Sequence, residues 1–140
     1  MKELEHPNIQ YLYEVYEGQR HVYLICELLE GGDLNKRVKE KGVFNEQQGS
    51  YIIFQILRAV DYIHDKDFIH RDLKMGNIMF KDPDGLSVKI IDFGFVEKIN
   101  SQFTVQKCGT GGYLAPEIFT ETMYNEKVDI FSIGIILYTL

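Results

Sequence analysis

His70-Arg71-Asp72-Leu73-Lys74-Met75-Gly76-Asn77 is the stretch around which the rest of the chain is organised. An aspartate and an asparagine stand five positions apart with a lysine between them, just after Asp67-Phe68-Ile69. The spacing fits neither one helix face nor the alternation of a strand, which places the octet on a loop. The loop is expected to follow a short strand and to precede another, Ile78-Met79-Phe80. A carboxylate, an ammonium group and an amide oxygen held together suit phosphoryl transfer. The carboxylate can accept a hydroxyl proton, the lysine can balance a phosphate, and the amide oxygen can ligate a metal ion. An ordinary solvated loop is the competing reading, because a short motif needs its structural context.

The chain has 140 residues, enough for one domain with a real core. Apolar residues make up 45% and charged residues 26%, as in soluble globular proteins. The net charge of −6 argues against nucleic acid or an anionic membrane as the main partner. Nine tyrosines and nine phenylalanines are scattered and read as core, not as a platform for stacking bases. Cys26 and Cys108 show no metal or redox spacing, so a reducing, intracellular and cytoplasmic setting is expected. Met1 to Gln10 is polar and charged, unlike a secretory signal. Ile130 to Leu140 is too short to span a bilayer and reads as a helix buried all round.

Met1 to Glu5 has the look of a helix tail, stopped by His6-Pro7-Asn8. Strands are expected over Ile9–Tyr16 and His21–Leu28, joined by a hairpin link at Glu17-Gly18-Gln19-Arg20. Leu29-Glu30-Gly31-Gly32 is expected to be a flexible lobe boundary. Asp33 can cap a short helix that Gly42 ends. Asn45 and Gln48 form a capping-box pair for a second helix. Its core face is expected to hold Ile52, Ile53, Ile56, Leu57, Val60 and Ile63. A strand pair should turn at Asp82-Pro83-Asp84-Gly85, its second strand running from Ser87 to Ile91. From Phe95 to Leu114 no period is visible, and Asn125 can cap the last helix.

Three motifs in chain order then indicate a family. The octet resembles the catalytic loop of eukaryotic protein kinases, Asp92-Phe93-Gly94 their metal-binding motif, and Ala115-Pro116-Glu117 the end of their activation segment. Pro7-Asn8-Ile9, Glu30-Gly31-Gly32-Asp33-Leu34 and Asp129-Ile130-Phe131-Ser132-Ile133-Gly134 resemble further landmarks of that family. The resemblance covers the whole chain and implies an α+β, kinase-like fold, present in part. Residues 1–26 would be the end of the small β lobe, 27–32 the hinge, and 33–140 the helical large lobe up to its central helix.

The resemblance implies ATP and Mg²⁺ as cofactors and a protein as substrate. Asp72 would orient the substrate hydroxyl and accept its proton, and Lys74 would sit on the γ-phosphate. Asn77 and Asp92 would hold Mg²⁺. Backbone from Glu27 to Leu29 would bind adenine, with Cys26 behind it and Met79 beneath it, and Asp33 would reach the ribose or a basic substrate residue. His70 and Phe93 would stack with Leu12, and Asp129 would tie the last helix to the catalytic loop. Lys74 with Gly109-Thr110 resembles serine/threonine rather than tyrosine kinases, Thr110 reaching Asp72 and Lys74. The texture resembles the cyclic-nucleotide-dependent and calcium/calmodulin-dependent groups, the second more closely, which implies a possible regulatory domain or calmodulin-type partner.

Arg71 beside Asp72 implies control through the activation segment, because its charge needs an anion. Many relatives carry a phosphorylatable threonine two places before Cys108; Gln106 stands there here, leaving Ser101 and Thr104, of which Thr104 is the expected site. Glu117 would pair with an arginine beyond the last helix. Both ends look cut: a glycine-rich loop and a strand lysine would lie ahead of Met1, so the piece alone is expected to be inactive and marginally folded. The rival reading is a pseudokinase-like truncated product that acts as a binding or scaffold module. A small-molecule phosphotransferase is a third, opposed by Ala115-Pro116-Glu117 and the long activation segment.

Overall fold

The computed structural model describes residues 4–99, 104, 106–121 and 123–140. In chain order it contains β1 (Leu12–Glu17), β2 (Val22–Cys26), α1 (Leu34–Lys41), α2 (Glu46–His64) and β3 (Phe68–Ile69). These are followed by β4 (Ile78–Phe80), β5 (Val88–Ile90), β6 (Glu97–Lys98), α3 (Glu117–Thr120) and α4 (Lys127–Thr139). Three antiparallel pairs result: β1 with β2, β3 with β6, and β4 with β5. The α+β, kinase-like architecture expected from the motifs is present.

Tyrosine and β-branched residues favour the β1–β2 pair, and Gly18 N–H donating to His21 O at 2.8 Å closes its turn. The first strand is shorter than expected because Asn8 redirects the chain ahead of it. The Asn8 side chain donates to Val88 O at 2.8 Å and to Gln55 Oε1 at 3.0 Å. Ile9 is thereby carried into the main core, where it bridges Ile90 in parallel. Leu4 and Glu5 are not helical, and Met1 to Glu3 lie outside the described residues.

Leu29–Gly32 is no loose connection. Glu30 N–H donates to Lys81 O and Gly31 N–H to Phe80 O, both at 3.1 Å, while Phe80 N–H returns to Gly32 O at 2.9 Å. A Cβ on Gly31 would stand 2.4 Å from both Asp82 O and Phe80 Cβ. Only glycine lets the two backbones approach this closely. Asp33 Oδ1 then accepts from Lys36 N–H at 2.8 Å to start α1, and Gly42, at φ 85°, ends it.

The Asn45–Gln48 capping box is reciprocal, with bonds of 2.9 and 3.3 Å. Along α2, Ile52, Ile56, Ala59, Val60 and Ile63 are fully buried against β4, β5 and α4. Each fully buried isoleucine contributes about 1.5–3 kcal/mol, so this helix anchors the core. Leu57 does not belong to that face, being 41% exposed. It lies roughly 100° round the helix from Ile56, at the edge of the stripe.

α4 also differs from expectation. Val128, Asp129, Ser132, Ile133 and Ile136 are buried, but Ile130, Phe131, Leu137 and Tyr138 are exposed. α2 packs on one side of α4, and among the described residues no element covers the other. Asn125 accepts from Lys127 N–H at 3.1 Å, so it does hold the helix start. A smaller cluster of Ile69, Ala115, Ile118, Tyr124 and Val128 seats α3 beneath the loop that follows β3.

Candidate active site

A buried carboxylate sets the shape of the loop. Asp129, on α4, accepts from His70 N–H through Oδ2 and from Arg71 N–H through Oδ1, each at 2.9 Å. His64 Nε2 lies 2.9 Å from Oδ2. These bonds hold Arg71 at φ 69°, in the left-handed region that a non-glycine residue occupies only when its surroundings impose it. Asp92 is held likewise at φ 60°. Asp129 therefore ties the last helix to the loop, as the resemblance implied.

Past Arg71 the chain brings three polar side chains onto one point. Lys74 Nζ donates to Asp72 Oδ2 at 2.7 Å and to Thr110 Oγ1 at 2.8 Å. Thr110 Oγ1 donates in turn to Asp72 Oδ1 at 2.6 Å. Asn77, in a single 3-10 turn over Met75–Asn77, donates its amide to Asp72 O at 2.9 Å and to Oδ2 at 3.0 Å. Burial alone would push the Asp72 carboxyl up. The hydrogen bonds from Lys74, Thr110 and Asn77, with the Lys74 charge, instead hold it below the usual carboxylate range. The group is thus an ionised, fixed acceptor at neutral pH.

The Asn77 amide NH₂ is committed to Asp72, and its oxygen accepts no hydrogen bond among the described residues. β4 and β5 pair Ile78 with Ile90, and Ile91 N–H donates to Asn77 O at 2.9 Å, so Asp92 follows directly beside Asn77. Asp92 is exposed, and among the described residues its Oδ1 accepts only from Gly94 N–H, at 3.2 Å. An amide oxygen and a carboxylate left open on one edge are hard donors of the kind Mg²⁺ takes together with phosphate oxygens. The residues fit such an ion.

The proposed nucleotide-side residues lie along the β2–α1 connection. Asp33 bridges Met79 in antiparallel fashion, which puts both at the lip beside Asn77. Leu29 is buried, and its N–H has no partner among the described residues. Glu27 O accepts from Gln10 Nε2 at 2.9 Å, and the Glu27 carboxylate pairs with Lys89 at 2.7 Å. Gln10 and Lys89 carried no sequence signal, because they meet Glu27 only once β1 and β5 are in place. Cys26 is half-buried.

Arg71 already has its anion. Glu97 on β6 accepts from Arg71 NH1 at 2.5 Å, and Gln106 Oε1 lies 3.3 Å from NH2. Thr104, the expected modification site, is 4% exposed and donates its hydroxyl to Glu97 Oε2 at 2.5 Å. Ser101 lies outside the described residues. Glu117 opens α3, is half-buried, and makes no ion pair among the described residues. Glu97 escaped the sequence reading because a two-residue strand has no period. Its pairing with Ile69, two positions before Arg71, is a tertiary fact.

His70 is fully buried, packs against Phe93 with ring centroids 5.1 Å apart and planes tilted by 59°, and accepts from Asp72 N–H at 3.3 Å. Burial pushes its imidazole below the ordinary value, against the opposing pull of Asp129 and Asp72. Burial, with Arg58 and Lys89, lowers His6 as well. In the unfolded chain both histidines take up protons near pH 6.5, while the folded state resists. Their contribution to stability is therefore complete above that pH and is lost as the pH falls through it, by up to about 1.4 kcal/mol per pH unit for each proton. Denaturant midpoints are expected to fall between pH 7.5 and 5.5; a midpoint that rises over that window contradicts this assignment.

Compared with known proteins, residues 1–140 match the model of the protein kinase domain. The chain is 46% identical to calcium/calmodulin-dependent protein kinase type 1 of Macrobrachium nipponense, over all of its own length and 41% of that protein. It is 41% and 40% identical to the proteins of the same name from Caenorhabditis briggsae and Caenorhabditis elegans, again over its whole length and 40% of each. The chain thus spans about two-fifths of the length of these relatives. A loop bent by Asp129, an ionised Asp72 fixed by lysine and threonine, and two open oxygen donors at the β4–β5 edge accord with that match: this chain belongs to the protein kinase family.

Proposed function

We propose that the protein to which this chain belongs transfers the γ-phosphate of ATP to serine or threonine hydroxyls of protein substrates, with Mg²⁺. The observation that carries the reading is the triangle of Asp72, Lys74 and Thr110, in which each side chain bonds the other two. Asp72 Oδ1, now accepting from Thr110, is the acceptor an incoming alcohol would use, so an entering hydroxyl is oriented and loses its proton to a carboxylate kept ionised. Lys74, free to swing from Asp72 to a phosphate oxygen, balances charge as the bond to the leaving group breaks. Asn77 and Asp92 would hold Mg²⁺, which supplies neutralisation of phosphate charge.

Glu27 to Leu29, Met79 and Asp33 line the side from which adenine and ribose would enter. The serine/threonine preference rests on the resemblance carried by Lys74 and Gly109-Thr110, both Lys74 and Thr110 being bonded to Asp72. The similarity to calcium/calmodulin-dependent kinases supports a calmodulin-type partner outside these residues and an intracellular setting. No helix among the described residues is long and apolar enough to cross a membrane.

The test is radiolabelled ATP with the full-length protein, a generic protein substrate and Mg²⁺, followed by hydrolysis and phosphoamino-acid separation. Label on serine and threonine is the expected result. Label on tyrosine alone, or partner binding without any transfer, replaces this reading with a tyrosine-directed enzyme or a scaffold respectively.

A further inference from the structure

Arg71 presents a problem that the catalytic triangle does not solve. Its guanidinium is 95% buried, since the side chain is only 5% exposed, and it adjoins the residue that must stay fixed for catalysis. An unpaired buried cation is strongly destabilising, so something must neutralise it. Three groups converge on it: Phe95 O accepts from Nε at 2.7 Å, Glu97 Oε2 from NH1 at 2.5 Å and Gln106 Oε1 from NH2 at 3.3 Å. Only Glu97 carries charge.

The same carboxylate oxygen accepts the Thr104 hydroxyl, and Gln106 N–H donates to Thr104 Oγ1 at 3.4 Å. Thr104 and Tyr124 exchange backbone bonds of 2.8 and 3.0 Å, and the Tyr124 hydroxyl donates to Gln106 O. Glu97 therefore joins the loop cation to Thr104 and, through it, to Gln106, four residues ahead of Thr110. That segment must stay in place for Thr110 to reach Asp72.

We propose that Glu97 is a positioning residue: it supplies from within the chain the negative charge that holds Thr104 and Gln106 around Arg71, so that no phosphate is needed there. The proposal rests on the phosphoryl-transfer reading above and deepens it by naming how the site is switched, or rather held on. Thr104 is correspondingly a hydrogen-bond donor; a phosphate on its oxygen would set a dianion against the Glu97 carboxylate, with which it now shares a proton.

The experiment uses the full-length protein after exhaustive phosphatase treatment. Its variants are Glu97→Gln, Glu97→Asp and the double variant Glu97→Gln with Gln106→Glu, which returns the charge from the other side of Arg71. Two readouts are taken, amide hydrogen exchange over residues 106–113 and steady-state transfer. Phosphatase is expected to leave the wild-type rate unchanged. Glu97→Gln is expected to raise exchange and lower kcat roughly ten- to a hundredfold, the loss of one charge-assisted bond, with KM for ATP unchanged.

Glu97→Asp should keep most of the protection, and the double variant should recover at least tenfold of the lost rate along with slow exchange. A side chain that only packs would not be rescued by a carboxylate placed elsewhere. Unaltered exchange in Glu97→Gln, a double variant no better than the single one, or a wild-type rate that collapses on phosphatase treatment overturns the proposal. Absence of transfer by the untreated wild type sinks the kinase reading instead, and the exchange pattern still decides the role of Glu97.

Discussion

Replacing Asp129 with alanine lowers the unfolding free energy by about 3–5 kcal/mol, the cost of removing one member of a buried charged network. The carboxylate is fully buried and accepts three hydrogen bonds, two of them from the backbone of His70 and Arg71. Without it those two N–H groups stay buried and unsatisfied, and Arg71 loses the backbone bond that holds it at φ 69°. A domain with roughly 5–15 kcal/mol in hand loses a large share of its stability. Asp129→Asn retains one acceptor and should fall between alanine and wild type. Chemical denaturation of the full-length protein reads the difference directly, and an alanine variant within about 0.5 kcal/mol of wild type, the range of a neutral surface change, rejects the anchoring role.

Much of this arrangement was legible in the chain itself, because local chemistry and local structure agree. Asp33, Asn45 with Gln48, and Gly42 place their helix ends where short side chains and glycine satisfy orphaned backbone groups, and those preferences need no tertiary context. The Asp72–Lys74–Thr110 triangle was legible for a different reason. Asp72, Lys74 and Asn77 are close in sequence, and Thr110 was placed with them by its motif.

What stayed hidden depends on contacts between distant segments. β6 is two residues long, so Glu97 had no periodic pattern to announce it, and its meaning comes from lying across from Ile69. Gln10, ahead of β1, and Lys89, on β5, converge on Glu27 from distant parts of the chain. The glycines at positions 31 and 32 suggested flexibility, yet Gly31 is there because Phe80 and Asp82 pass too close for a side chain, and Gly32 because its φ of 70° is left-handed. Leu57 and the outer face of α4 show the limit of hydrophobicity as a guide: an apolar residue is buried only if something packs on its side of the helix.

The proposed role of Asp72 as proton acceptor carries the largest expected effect on rate. Its oxygens are the meeting point of Lys74, Thr110 and Asn77, and no other carboxylate contacts Lys74 or Thr110 among the described residues. Asp72→Asn keeps the shape and removes the proton acceptor, so folding and ATP affinity should persist while kcat falls about 10²–10⁴-fold, the span of general-base contributions. Single-turnover transfer of labelled γ-phosphate from ATP to a protein hydroxyl, wild type against Asp72→Asn in the full-length protein, is the measurement that bears most directly on the account. Loss of transfer by at least a hundredfold with ATP binding intact is the predicted result; transfer at an equal rate in both proteins contradicts it.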